Sequence, residues 1–119
     1  AAGCVNPLNG EGIDYGLETG RLVAELLTAQ RHLATGWPAT LTHHYGEAFS
    51  IARRLAGLLT QPRLLPLAGP VGMRSRALMT VALRVMGNFV TEEDRDLTAR
   101  VWRAAGRASV RLDERAPFS

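Results

Sequence analysis

The apolar residues of this chain recur three and four apart through most of its 119 positions, a spacing that packed helices satisfy and strands do not. A first helix is predicted over residues 12–34, with Ile13, Leu17, Ala24 and Leu27 in line and Leu22, Leu26 and Leu33 widening the face. Gly36-Trp37-Pro38 closes it, since Pro38 suits the opening turn of a helix. The second helix covers residues 39–60, its inner face drawn from Leu41, Tyr45, Ala48, Ala52, Leu55 and Leu59, with Phe49 and Ile51 nearby. Residues 61–70 read as an apolar, proline-punctuated connection with a short turn of helix between Pro62 and Leu67. A third helix follows over residues 71–86, with Gly87-Asn88 as its stop. Thr91-Glu92-Glu93-Asp94 opens the last helix, with Thr91 as cap and acids in the first turn. It runs to about Leu112 and turns Leu97, Val101, Ala104, Ala105, Ala108 and Leu112 inward, with Trp102 in the core by default. Residues 113–119 read as a frayed tail. Strand-like alternation is confined to Cys4-Val5, so the predicted class is mainly α: about four helices behind an ordered loop.

That loop carries the densest turn chemistry in the chain. Pro7 fixes its own φ and holds Asn6 extended. Asn9-Gly10 is a strong turn pair, and Gly12 lets a backbone or flat ligand approach where a Cβ would collide. A helix begins immediately behind, and its first amides and dipole present positive charge to whatever lies in front. Such a turn can seat an anion or an electron-rich carbonyl; it can equally be an ordinary loop-to-helix junction. Gly12, Gly16, Gly20 and Ala24 recur every four residues, and glycine inside a helix costs ~1 kcal/mol. The stripe implies close packing against another backbone or a cofactor.

The run Ala1-Ala2-Gly3-Cys4-Val5-Asn6-Pro7-Leu8-Asn9-Gly10-Glu11-Gly12-Ile13-Asp14-Tyr15-Gly16-Leu17-Glu18-Thr19-Gly20-Arg21 resembles the second flavin-contacting motif of the geranylgeranyl reductases. That family's pattern is Gly-Asp-Ala-Ala-Gly, then Asn-Pro, Gly-Glu-Gly-Ile and Glu-Ser-Gly-Arg. Thr19 stands where the family usually has Ser, and the Gly-Asp before Ala1 is absent. Residues 76–97 are more softly similar to actinobacterial members of the family acting on menaquinone. The resemblance implies a p-hydroxybenzoate-hydroxylase-like FAD α/β fold in a longer protein, of which this is a C-terminal piece. Residues 1–34 would then end the FAD-binding domain and residues 35–119 form a C-terminal helical region. By the same resemblance the first helix packs beside the flavin domain's sheet. Gly12, Ile13 and Asp14 would meet the electron-rich edge of FAD through their backbones. That contact belongs to the turn from Gly10 to Asp14. Asn6, Pro7 and Asn9 would line the ring or ribityl edge, and Ala2 and Gly3 the ribityl and pyrophosphate. The implied reaction is reduction of a polyprenyl double bond, in a geranylgeranyl or menaquinone side chain. The implied partners are a polyprenyl lipid and the N-terminal FAD-binding portion, without which the piece is inactive. No catalytic side chain is assigned.

Composition narrows the rest. All 14 basic residues are arginine, against 11 acids and a net charge of +3, with the two signs reading as mixed along the chain. Nucleic acid is not an expected partner at that charge. A single cysteine makes no internal disulfide and suits a reducing cytoplasm. Cys4 reads as a small packed residue rather than an activated nucleophile. His43-His44 cannot chelate one ion together, because neighbours on a helix point about 100° apart; no metal site is expected. Glu18 and Arg21 could pair on the surface, and Arg53-Arg54 reads as a solvated or acid-paired face. Glu11 is either a first-turn acid or a proton relay. The third helix, apolar and rimmed by arginines, fits an ordinary core helix or a membrane-surface helix. A cytoplasmic protein, compatible with peripheral membrane contact, is the expectation. Two alternatives remain beside the reductase: an FAD-dependent aromatic hydroxylase of the same fold, and a non-catalytic helical module binding a membrane surface or partner.

Overall fold

A computed structural model describes residues 3–29, 32–91, 93–114 and 118, and among them every regular element is a helix. There are five: α1 (Ile13–Thr28), α2 (Leu33–Leu59), α3 (Leu64–Arg74), α4 (Arg76–Met86) and α5 (Leu97–Arg111). The all-helical class is as expected, but the boundaries differ in three places, each for a local reason.

The break between the first two helices falls before Gly36-Trp37-Pro38. α1 ends at Ala29, whose amide bonds the Glu25 carbonyl at 3.0 Å, and α2 starts behind an extended His32. Pro38 therefore sits in the second turn of α2. A proline removes the bond back to the residue four earlier and crowds that residue's carbonyl; here that residue is Ala34, in the first turn, and the helix continues past it. The apolar connection is itself helical. Pro66 and Pro70 lie inside α3, and the chain breaks instead at Ser75. The Ser75 hydroxyl accepts the Leu78 amide at 3.3 Å, capping α4. The single helix over residues 71–86 is thus two helices meeting at Ser75. The stop at Gly87-Asn88 is where the sequence places it: Asn88 takes φ +57°, and the Phe89 and Asn88 amides return to Arg84 and Val85. Those paired bonds form a Schellman cap.

The last helix differs most. It starts six residues after Thr91, capped by Asp96, whose carboxylate accepts the Ala99 amide at 2.9 Å. Thr91 and Asp94 form only an isolated turn, with the Thr91 amide on Asp94 Oδ2 at 3.0 Å; Glu92 lies outside the described residues. The buried residues of α5 are Ala99, Gly106 and Ser109. Leu97 and Leu112 are 74% and 71% exposed. At 100° per residue, the predicted Leu97–Val101–Ala108 line lies on the opposite side from the one that packs.

The packing shows why. α5 lies along α2, and a Cβ on Gly106 would come within 3.1 Å of Glu47 Cβ and 3.2 Å of its carbonyl. Only a small-residue face allows that approach. Larger residues fill the seam between α1 and α2, where Tyr15, Leu22, Leu41, Tyr45 and Phe49 form the buried core. Tyr15 meets Tyr45 and Phe49 edge to face, with centroids 5.4 and 5.2 Å apart, the geometry aromatic quadrupoles favour. Leu41, Tyr45 and Ala52 of α2 face inward as predicted, as do Leu22 and Leu26 of α1; Ile13 and Leu17 face out. Trp102 is half-buried. α3 and α4 pack on each other and α3 touches α2, and neither contains a buried residue.

Candidate functional site

The loop ahead of α1 is held by its own asparagines. Asn6, 7% exposed, accepts the Leu8 amide at 2.9 Å through its side-chain carbonyl. Asn9 does the same for the Glu11 amide at 2.9 Å. These side-chain turns are what asparagine supplies at such positions. Backbone bonds close the loop: Asn6 N–H to the Glu11 carbonyl at 2.7 Å and Gly10 N–H to the Asn6 carbonyl at 2.9 Å. Gly10 adopts φ +75° and Gly3 φ +59°, with open space where a Cβ would stand at each. Glycine is needed there for the backbone conformation rather than for room.

The loop is also tied to the far end of α4, which the sequence did not reveal. Asn9 Nδ2 donates to the Met86 carbonyl at 2.6 Å, across 77 residues. Tyr15 Oη donates to Asn88 Oδ1 at 3.2 Å and receives a long bond, 3.4 Å, from Asn6 Nδ2. The left-handed asparagine that stops α4 thus braces the start of α1. Its place after Gly87 was the only signal available, and that signal marks a helix end, not a partner.

Of the predicted site residues, Gly3, Asn6, Pro7, Asn9, Gly10, Gly12, Ile13 and Asp14 fall on this one loop and helix start; Ala2 lies outside the described residues. The side-chain amides of Asn6 and Asn9 are engaged within the chain. What faces outward is backbone: α1 begins behind Gly12 with no side-chain cap, and Ile13 is 80% exposed. Uncapped first-turn amides and the positive dipole end are directed away from the helix. Glu11 and Asp14 stand at the same end, and the Asp14 carboxyl raises the Glu11 pKa by hydrogen bonding, with burial adding to it. A Cβ on Gly12 would come within 3.1 Å of Val5 Cγ2, whereas Gly16 and Gly20 meet nothing within 4 Å of a Cβ position, so the stripe is met only at its first glycine among the described residues.

Behind the loop, Cys4 packs against the aromatic core, and burial pushes its thiol pKa up. That is the opposite of activation. Tyr45 is buried, and desolvation followed by the nearby Glu18 carboxylate pushes its phenol well above the usual range. Its hydroxyl makes no hydrogen bond of ordinary geometry among the described residues. Arg21 pairs with Glu25 rather than with Glu18.

Away from the loop, a concavity of about 290 Å³ opens between α2 and α5 beside His43, His44, Glu47, Trp102, Arg103 and Gly106. Arg103 donates to the Asp94 and Thr91 carbonyls at 2.7 and 3.3 Å, bracing the turn before α5. The two histidine rings stand nearly perpendicular, 5.3 Å apart. No group of three or more His, Cys, Asp or Glu able to hold a metal ion occurs among the described residues.

No protein-family model matches the chain, and no solved structure does. Curated proteins from two mycobacterial species are closely similar. The chain is 64% identical over 121 residues to a menaquinone reductase of Mycolicibacterium smegmatis, covering all of this chain and 30% of that protein. It is 65% identical over 119 residues to the menaquinone reductase of Mycobacterium tuberculosis, covering all of this chain and 29% of that protein. The chain thus spans just under a third of the length of these relatives. Along its entire length it is a homologue of part of the mycobacterial menaquinone reductases.

Proposed function

We propose that this chain supplies the flavin-facing turn of an FAD-dependent oxidoreductase that reduces a double bond in the polyprenyl side chain of a menaquinone. The name shared by the mycobacterial relatives supports the substrate class. The observation that carries the flavin reading is the start of α1. It has a glycine where a capping side chain would be, behind a loop braced at both asparagines.

FAD, when bound, supplies the electron pair for alkene reduction. The work left to this chain is to hold and polarise. Amides of Gly12, Ile13 and Asp14 would stabilise negative charge at the ring edge, because they are fixed before the ligand arrives and need no reorganisation. Gly3, Asn6, Pro7, Asn9 and Gly10, with Ala2, would lie along the ring and ribityl. The open space beside Gly3 and Gly10 suits a flat group at close range. In this reading residues 1–34 complete an FAD-binding domain and residues 35–119 are the helical region behind it.

The test is made on the full-length gene product. It should purify yellow or take up FAD, and should convert menaquinone to a product heavier by one H2 per double bond. Gly10→Val, strained at φ +75°, should lose FAD while retaining its helix content. A colourless protein that never takes up FAD would sink the proposal. So would oxygen uptake matched one to one by a hydroxylated product.

A further inference from the structure

We infer that the α3–α4 pair is a membrane-docking surface that recognises an anionic lipid bilayer. The inference stands on charge and exposure and does not depend on the flavin reading. The two signs of charge, which read as mixed along the chain, are not mixed here. Residues 48–91 contain six of the 14 arginines and none of the 11 acids. Three of the six are engaged: Arg53 and Arg54 by Asp113, and Arg84 by Asp94 and Asp96. Arg63, Arg74 and Arg76 are exposed and form no ion pair among the described residues. Arg63 precedes α3, and Arg74 and Arg76 flank the Ser75 junction, so the free positive charge marks both ends of α3.

Between those charges lie the most exposed large apolar side chains of the pair. Met73 is 78% exposed and Leu67 76%, with Val71, Leu78 and Leu83 also open. A helix that is apolar around most of its circumference is ordinarily buried in a large core or against lipid. The exposed stripe of α1 is a different surface: Ile13 and Leu17 sit among Asp14, Glu18 and Glu25, acids that an anionic bilayer would repel. α5 also lacks acids between Leu97 and Arg111 and exposes Leu97 and Val101, but Asp94 and Asp96 precede it and Asp113 and Glu114 follow it. α3–α4 combines apolar exposure with positive charge and lies in a stretch free of acids, the composition that lies in a lipid interface. No helix among the described residues is long and apolar enough to cross a membrane, so the contact is peripheral.

The experiment uses the full-length protein and co-sedimentation with vesicles of phosphatidylcholine, with or without phosphatidylglycerol. Wild type should pellet with the anionic vesicles and be released by salt. The double variants Arg74→Glu/Arg76→Glu and Leu67→Glu/Val71→Glu should each weaken that binding by at least about ten-fold, with melting temperature and FAD content unchanged. A Met73→Trp variant gives a signal that does not rely on loss: its emission should shift to the blue on anionic vesicles and be quenched by brominated lipid. The inference is overturned if wild type stays in the supernatant, or if the variants pellet as it does. It is also overturned if the variants lower the melting temperature or the introduced indole is already shielded without lipid, since the surface would then be covered by the rest of the protein or a second copy. Loss of FAD with vesicle binding intact would count against the flavin reading alone.

Discussion

α5 and α3–α4 both meet α2, and they do so by opposite means. α5 turns its large apolar residues outward and presents Ala99, Gly106 and Ser109 to α2. The seam is so close that its polar groups must answer one another. Ser50 and Ser109 share a hydrogen bond of 2.6 Å, Arg54 Nε donates to Ser109 Oγ at 2.8 Å, and Asp113 receives Arg53 and Arg54. α3 and α4 are richer in leucine, valine and methionine, yet bury none of them. Apolar content and contribution to the core are therefore separate properties in this chain. The difference is approach distance: dispersion and the exclusion of water act only where surfaces meet.

The comparison breaks most visibly at the largest side chains. Phe49→Ala removes a ring buried among Tyr15, Tyr45 and Phe118 and should destabilise the protein by about 3–5 kcal/mol. Leu67→Ala on α3 should stay within about 0.5 kcal/mol of wild type. Denaturant unfolding of the full-length protein measures both; equal losses would mean that α3 belongs to a core after all. The glycines sharpen the contrast into a difference of sign. Gly106→Ala drives a methyl to 3.1 Å from Glu47 Cβ and 3.2 Å from its carbonyl, backbone that cannot move aside, at a loss of about 1–3 kcal/mol. Gly72→Ala in α3 meets nothing within 4 Å and should stabilise by up to about 1 kcal/mol through helix propensity.

These cases also show how far the sequence could be read. The helical class followed from spacing alone, and so did the Leu41–Tyr45–Ala52 face of α2, where large residues do the packing. The α5 face did not. A pattern argument seeks leucine and valine, and Gly106 is legible as an interface only once Glu47 is known to lie against it. Pro38 misled because a proline at the first helical position and one in the second turn look alike without the fold. In the candidate site, Asn-Pro, Asn-Gly and Gly-Glu-Gly correctly announced a tight loop before a helix. The Met86 carbonyl and Asn88, which brace that loop, come from the end of α4, and no local rule joins positions so far apart.

Two buried hydroxyls on α2 give a smaller test. Ser50 is fully buried and partnered by Ser109, so Ser50→Ala takes one hydrogen bond from the Ser109 hydroxyl, which keeps that from Arg54, and another from the Asp113 carboxyl, and should cost about 1–2 kcal/mol. Tyr45 is buried without a partner for its hydroxyl among the described residues. Tyr45→Phe removes the unpaired group and keeps the ring, so its unfolding midpoint should equal or exceed that of wild type. A loss there as large as the one at Ser50 would show that the Tyr45 hydroxyl is paired after all, by the nearby Glu18 carboxylate or by a group beyond these helices.

The faintest expected effect is a pH dependence, and it separates the two regions again. The Asp113 carboxyl is held below its usual range, first by hydrogen bonding to Ser50 and then by Arg53 and Arg54. The Asp96 carboxyl is held low first by the Ala99 amide and then by Arg84. A carboxyl whose folded pKa is depressed contributes stability that is fully present above its unfolded value, near 3.9, and is lost as pH falls through the folded one. Asp113→Asn should therefore lower the melting temperature at neutral pH and converge with wild type in acid, below the folded pKa. Glu11, whose pKa is raised, works in the opposite sense, so the informative quantity is the difference between variant and wild type at each pH. Asp113 closes the α2–α5 seam, whereas no acid lies within α3 or α4. Leu67→Ala should accordingly give a difference that stays flat across the same pH range. A slope at Leu67, or none at Asp113, would show that the polar seam does not set the acid stability of the fold.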